Sequence, residues 1–171
     1  MIEAVRARIR YDVPVFAKLS PDVTDIVAIA RASVTAGADG LSMINTLLGM
    51  ANDTKTLPPA LAGVTGGLSG PAIRPVAVRC IWQVHEAFPD VPIIGMGGVR
   101  TGLDALELML AGASTVSVGT AIFHDPSACP RIVRELEEEL ASRGIDRAAD
   151  AVGLAHEPRQ AAIHRRQGSV L

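Results

Sequence analysis

Two short apolar runs, each breaking into glycine at its C-terminal end, constrain this chain more than any other feature. They are Pro92-Ile93-Ile94-Gly95-Met96-Gly97-Gly98 and Thr115-Val116-Ser117-Val118-Gly119-Thr120, with a helix-like segment from Thr101 to Leu110 between them. Run, glycine turn, helix and run is the pattern of a βαβ unit whose parallel strands are buried. Gly97, Gly98 and Gly119 leave backbone N–H groups uncovered just past the strand ends. A phosphate can be cradled there, beside a helix N-terminus.

The rest of the chain repeats this grammar. Residues 1–11 read as the end of an amphipathic helix, with Ile2, Val5 and Ile9 among arginines, as in a chain cut from something longer. Pro14 to Leu19 is a short strand carrying Lys18 in an otherwise apolar run. An ammonium in that setting needs an anion, a polarised carbonyl or water. Asp22 to Ala36 is a helix with Thr24 or Asp22 as its cap, ending at Gly37. Gly40 to Thr46 is the next strand and delivers Asn45 and Thr46 to the same edge as Lys18. Ala36-Gly37-Ala38 and Ala111-Gly112-Ala113 each precede a strand, a weak internal repeat of the kind a βα-repeat fold leaves.

Residues 47–70 form a long excursion without periodicity, ending in Gly63-Val64-Thr65-Gly66-Gly67-Leu68-Ser69-Gly70. A segment of this kind is expected to be a loop covering a ligand. Pro71 to Phe88 follows as a helix with Ile73, Val76, Ala77, Cys80, Ile81 and Val84 on one stripe. Trp82 and His85 read as surface or packing residues. Thr101 to Asp104 resembles a capping box, and the helix it opens ends at Gly112. Beyond Thr120 a charged helix spans Arg131 to Arg143, with Glu135, Glu137, Glu138 and Glu139 expected on a solvated face. Residues 1–145 are expected to form one unit, and 146–171 a terminal tail holding His156 and His164.

Composition narrows the class. Aromatic residues are 3% of a chain that is 49% apolar, so the core must be aliphatic, as suits parallel α/β proteins. A net charge of −2 offers no basic surface for nucleic acid or an anionic membrane. Cys80 and Cys129 make no disulfide framework, no apolar run has transmembrane length, and the N-terminus lacks a signal-peptide core, so a cytoplasmic protein is expected. No HExxH, Walker A or GxSxG motif occurs.

Lys18, Asn45-Thr46, Gly97-Gly98 and Gly119-Thr120 thus stand at strand C-termini, where α/β barrels keep their sites. The expected fold is α/β, of the (β/α)₈ barrel family. A complete barrel takes about 250 residues, and a chain of 171 falls well short of that.

These words, taken together, resemble the NAD-linked B-type catalytic subunit of the class 1 dihydroorotate dehydrogenases, in its C-terminal half. The similarity rests on Ala17-Lys18-Leu19-Ser20-Pro21-Asp22-Val23-Thr24-Asp25-Ile26, on Met43-Ile44-Asn45-Thr46, on Thr65 to Pro71, on Ile94 to Val99 and on Val118 to Ala121. The resemblance implies strands five to eight of the barrel and FMN as cofactor. It implies that Lys18 sits by the flavin ring and that Ile44 and the Gly70 backbone touch FMN. Gly97, Gly98, Gly119 and Thr120 would hold its phosphate, and Asn45 and Thr46 would bind orotate or dihydroorotate. The implied reaction is oxidation of dihydroorotate to orotate in pyrimidine (UMP) biosynthesis. The implied assembly is a homodimer with an FAD and iron–sulfur subunit. In that branch the catalytic base is a cysteine after strand four, and neither Cys80 nor Cys129 matches it. No catalytic base is therefore expected in this chain, and the chain alone is expected to be inactive. The alternatives are a fragment of the FMN domain of a dihydropyrimidine dehydrogenase, and a non-catalytic phosphate-binding half barrel.

Overall fold

The structure is a computed structural model that describes residues 1–157. In chain order its first elements are α1 (Ile2–Arg6), β1 (Phe16–Leu19), α2 (Ile26–Thr35), β2 (Gly40–Met43), β3 (Leu47–Met50) and β4 (Thr65–Leu68). Then come α3 (Arg74–Ala87), β5 (Ile93–Met96), α4 (Gly102–Leu110), β6 (Thr115–Ser117), α5 (Ala121–His124) and α6 (Ala128–Ser142). Four strands pair in parallel in the order β1-β2-β5-β6. The expected βαβ units are present, so the chain is α/β with a parallel sheet. β2, β5 and β6 end earlier than their sequence runs, because the last residues of each run leave the ladder and turn over the sheet edge, whereas β1 ends at Leu19 as its run does.

The register sorts the strand residues into two faces. Leu19, Leu41, Met43, Ile93 and Gly95 point to the side packed by α2, α3 and α4, and all are buried. Ala30, Ala77, Ile81, Val84 and Leu108 fill the space between these helices and the sheet. Gly95 is required there, since a Cβ would lie 2.7 Å from the Ala113 Cβ. The alternate residues Phe16, Lys18, Ser42, Ile94, Met96, Thr115 and Ser117 point to the other side, and each is exposed or half-buried. On that side the Phe16 ring lies across Gly40, where a side chain would collide with it. Parallel sheets ordinarily have both faces covered. Here, among the described residues, helices cover one.

Several local expectations need correction. The segment 47–70 is not structureless. Its ends form an antiparallel ribbon in which Leu47 pairs with Leu68 and Met50 with Thr65, and Asn52 bridges to Pro59. The cap of α2 is Asp25, whose side chain accepts from the Val27 and Ala28 N–H groups. Asp22 instead accepts from the Leu48 N–H at 3.0 Å and ties the ribbon to the end of β1. The N-terminal helix stops at Arg6 and buries nothing. Its anchor is polar, with Arg6 donating to the Gly37 carbonyl at 2.9 Å and pairing with Asp39.

The capping box at Thr101 and Asp104 forms as read from the sequence, and it starts α4 against α6. Glu135 is not simply solvated. It is half-buried, accepts from the Gly102 N–H at 2.8 Å and pairs with Arg131 at 2.7 Å. Both contacts hold its carboxyl below the usual range, the Arg131 hydrogen bond most strongly. After α6, two 3₁₀ turns, Ala148–Ala151 and Leu154–His156, pack back on α4 and bury Ala151 and His156. His156 stacks on Trp82 with ring centroids 3.6 Å apart, and its Nε2 lies 3.1 Å from the Ala111 carbonyl oxygen. Trp82 and His85 are packing residues, as their places on α3 suggest. His164 lies outside the described residues.

Two outcomes follow from this packing. A Cβ at Gly102 would collide with the backbone of Glu135 and Leu136. Gly102→Ala is therefore expected to destabilise the chain by about 1–3 kcal/mol in denaturant unfolding. His85 is pushed below its ordinary pKa by burial and then by the neighbouring His156. A depressed histidine contributes stability that is complete above its unfolded value of about 6.5 and is lost as the pH falls through the folded value. The thermal midpoint is expected to drop on acidification from about pH 7.5 to about pH 5.5, before carboxylates titrate near pH 4. Replacing His85 by Gln should flatten that drop. The fluorescence of Trp82, the sole tryptophan, reports it.

Candidate functional site

Because all strands of the sheet run the same way, their C-termini share one edge, and a cleft of about 560 Å³ lies along it. Lys18, Ile44, Asn45, Thr46, Gly70, Gly97, Gly98, Gly119 and Thr120 all line it. The structure thus brings every expected site residue into one cavity. Lys18 stands at the end of β1 on the uncovered face, exposed, with Ser42 beside it in register. The costly buried lysine is avoided by leaving its ammonium open to the cleft.

Backbone stitching positions the next group. The Ile44 N–H donates to the Met96 carbonyl at 3.2 Å, and the Asn45 N–H donates to the Leu19 carbonyl at 2.9 Å. This peptide is held between β1 and β5, with Ile44 buried at 2% exposure and the Asn45 and Thr46 side chains open. Gly67 of the ribbon passes directly against Thr46, at a distance that leaves no room for a side chain.

The other end of the cleft is built of backbone. Gly97 and Gly98 adopt φ of 126° and 77°, and Gly70 adopts 91°, conformations that L side chains rarely take. Among the described residues, no hydrogen bond engages the N–H groups of Gly97, Gly98, Gly119 or Thr120. Four unpaired donors around one cleft are a ready site for an anionic oxygen. A Cβ at Gly119 would meet nothing within 4 Å, so the wall there is open to an incoming group. Across the mouth, the Thr120 hydroxyl donates to the Ser69 hydroxyl at 3.0 Å. The donor set fits a phosphate ester, while Lys18 and the Asn45 amide fit a polar ring system at the other end.

Sequence reasoning missed Ser69, Arg100, Ser117, His124, Asp125 and Arg131, which also line the cleft. Arg131 belongs to a helix that only the tertiary fold returns to this edge, where it pairs with Asp125 at 3.1 Å. Ser127 and then Arg131 hold the Asp125 carboxyl below its ordinary range, and Glu135 and Asp125 raise Arg131 further. Neither cysteine lines the cleft: Cys80 is buried on α3 and Cys129 is exposed on α6. Among the described residues, no group of three or more His, Cys, Asp or Glu side chains could hold a metal ion. None of their helices is long and apolar enough to cross a membrane.

The family model described as dihydroorotate dehydrogenase matches residues 1–140, and so spans the sheet, the ribbon and the whole cleft edge. The chain belongs to the dihydroorotate dehydrogenase family. It is 60% identical over 141 residues to the dihydroorotate dehydrogenase B (NAD(+)) catalytic subunit of Halalkalibacterium halodurans, covering 82% of this chain and 46% of that one. The counterpart in Geobacillus kaustophilus is 53% identical over 154 residues, covering 90% and 49%. Among solved structures, the dihydroorotate dehydrogenase of Eimeria tenella in complex with ferulenol matches with a TM-score of 0.71 at 35% identity, over 84% of this chain and 38% of that chain. The chain spans about half the length of the curated relatives it matches.

The geometry of the glycine wall makes a paired prediction. A Cβ at Gly98 would lie 2.8 Å from the Arg74 Cβ and 2.9 Å from the Gly70 carbonyl oxygen, at a positive φ. Gly98→Ala is expected to lower unfolding stability by about 1–3 kcal/mol. Gly119→Ala should stay within about 0.5 kcal/mol of the unsubstituted chain. Equilibrium unfolding of both variants checks the contrast.

Proposed function

We propose that this chain supplies the FMN-phosphate and substrate-amide part of a dihydroorotate dehydrogenase site, as the half barrel holding strands five to eight. The observation that carries this reading is the set of four unpaired backbone donors at Gly97, Gly98, Gly119 and Thr120, in the same cleft as Lys18 and Asn45. These donors would hold the FMN phosphate, with the Gly70 backbone and Ile44 against the cofactor. When bound, FMN supplies the hydride acceptor for the oxidation of dihydroorotate to orotate. Lys18 brings a positive charge beside the ring, which favours the anionic reduced form. The Asn45 amide and the Thr46 hydroxyl orient the substrate by hydrogen bonds, and buried Ile44 keeps water from the wall behind it.

The sheet face without helices is, in this reading, the half of a barrel interior that a second half covers. That half would bring the cysteine base, so this chain alone turns over no dihydroorotate. The intact assembly would be a cytoplasmic homodimer joined to an FAD and iron–sulfur subunit. The family match supports a dihydroorotate substrate over the uracil-type substrate of a dihydropyrimidine dehydrogenase.

The test is the visible absorption of the purified chain after incubation with FMN and removal of the excess. A retained and perturbed flavin band is expected, further shifted by orotate and not by uracil. Asn45→Ala should keep the flavin and weaken the orotate response about tenfold, the worth of one or two hydrogen bonds. A folded chain that retains no FMN would overturn the cofactor assignment. A response to uracil in place of orotate would overturn the substrate.

A further inference from the structure

Beyond the backbone donors, a second cavity of about 510 Å³ adjoins the cleft and shares Pro71, Arg100 and Arg131 with it. Its cations are unequal. Arg74 is paired with Asp104 at 2.6 Å and Glu107 at 2.8 Å. Arg131 is paired with Asp125 at 3.1 Å and Glu135 at 2.7 Å. These carboxylates outnumber the two guanidinium groups, so neither arginine brings net positive charge to the rim. Arg100 differs. Its backbone is fixed on both sides, the N–H donating to Asp104 at 2.8 Å and the carbonyl accepting from Arg131 at 3.2 Å. Among the described residues, its guanidinium has no acid or carbonyl partner.

We propose that Arg100 is a phosphate-reading residue: its unpaired guanidinium, anchored at the junction of the two cavities, neutralises a dianionic phosphate ester seated on the Gly97, Gly98, Gly119 and Thr120 amides. The proposal rests on the flavin reading of the cleft and adds to it a source of selectivity for phosphorylated over unphosphorylated flavin. Backbone amides alone offer dipoles, and the surrounding carboxylates oppose an anion. A full positive charge with a planar donor fork offsets that repulsion and favours a phosphate by charge-assisted hydrogen bonds. Arg100 is exposed, so the contact is reached without rearranging the core, and it weakens with salt.

The experiment compares FMN, riboflavin and inorganic phosphate as probes, binding to the full chain and to its Arg100→Gln, Arg100→Lys and Arg79→Gln variants. Flavin binding is read by fluorescence quenching and phosphate binding by phosphorus NMR line width. Arg100→Gln should weaken FMN about tenfold and leave riboflavin unchanged. Arg100→Lys should recover part of the loss, and Arg79→Gln, which removes a remote surface charge on α3, should change neither. The FMN affinity of the unsubstituted chain should fall with added salt more steeply than that of Arg100→Gln. Equal FMN affinity in both chains would overturn the role of Arg100 and leave the flavin site standing. Binding of phosphate without flavin, lost in Arg100→Gln, would uphold Arg100 as an anion reader and overturn the flavin reading. Binding of neither probe by the folded chain would overturn both.

Discussion

The pairing of β2 with β5 is the constraint on which the rest of the molecule depends. These strands are central in the sheet, and their helix-side residues Leu41, Met43 and Ile93 are fully buried. Parallel pairing cannot be made by a tight turn and demands crossover helices. α3 and α4 therefore pack on one face, and every strand points its C-terminus to the same edge. The chemistry of the chain gathers there because the backbone leaves it no other place. The turn peptides that follow the strands complete the ladder's polar groups, as the Ile44 and Asn45 N–H groups do on Met96 and Leu19. Side chains of those turns are thus aimed by the ladder itself.

The same constraint leaves one face of the sheet open. A parallel ladder with helices on one side leaves Phe16, Lys18, Ser42, Ile94 and Met96 on a face that no described element covers. The chain spans about half the length of the curated relatives it matches. The ribbon crosses the cleft end of this face, held by Asp22 at one end and by the Ser69–Thr120 hydroxyl pair at the other. It carries glycine where it passes Thr46, which is what allows so close an approach.

Much of the strand and glycine pattern was legible in the sequence, because buried parallel strands are unbroken apolar runs and glycine marks their ends. The capping box at Thr101 was legible for the same local reason. The ribbon was not, since Thr65-Gly66-Gly67-Leu68 has little strand propensity and becomes a strand only by pairing with Leu47 to Met50. The sequence offers Thr24 or Asp22 as the cap of α2, but the ribbon engages Asp22 and the helix is capped by Asp25, one residue beyond Thr24. Arg100, Asp125 and Arg131 were invisible as a group, because no spacing in the sequence places α6 against the Gly98 turn. Local sequence places Glu135 on a solvated face, because its partner, the Gly102 N–H, is 33 residues away. Seven of the nine expected cleft residues, Lys18, Asn45, Thr46, Gly97, Gly98, Gly119 and Thr120, stand at the ends of the parallel strands, which is why the strand pattern names them; Ile44 and Gly70 follow only from the family resemblance.

The central claim is that this fold carries one part of a flavin site whose remainder lies on a second half barrel. The direct measurement is anaerobic bleaching of the flavin band by dihydroorotate. It is made on the chain with FMN, on the complementary part of the Halalkalibacterium halodurans catalytic subunit with FMN, and on the two together. The account predicts that neither alone is bleached and that the mixture is. Bleaching by this chain alone would contradict it, as would a mixture that binds FMN in a joined complex and is not reduced.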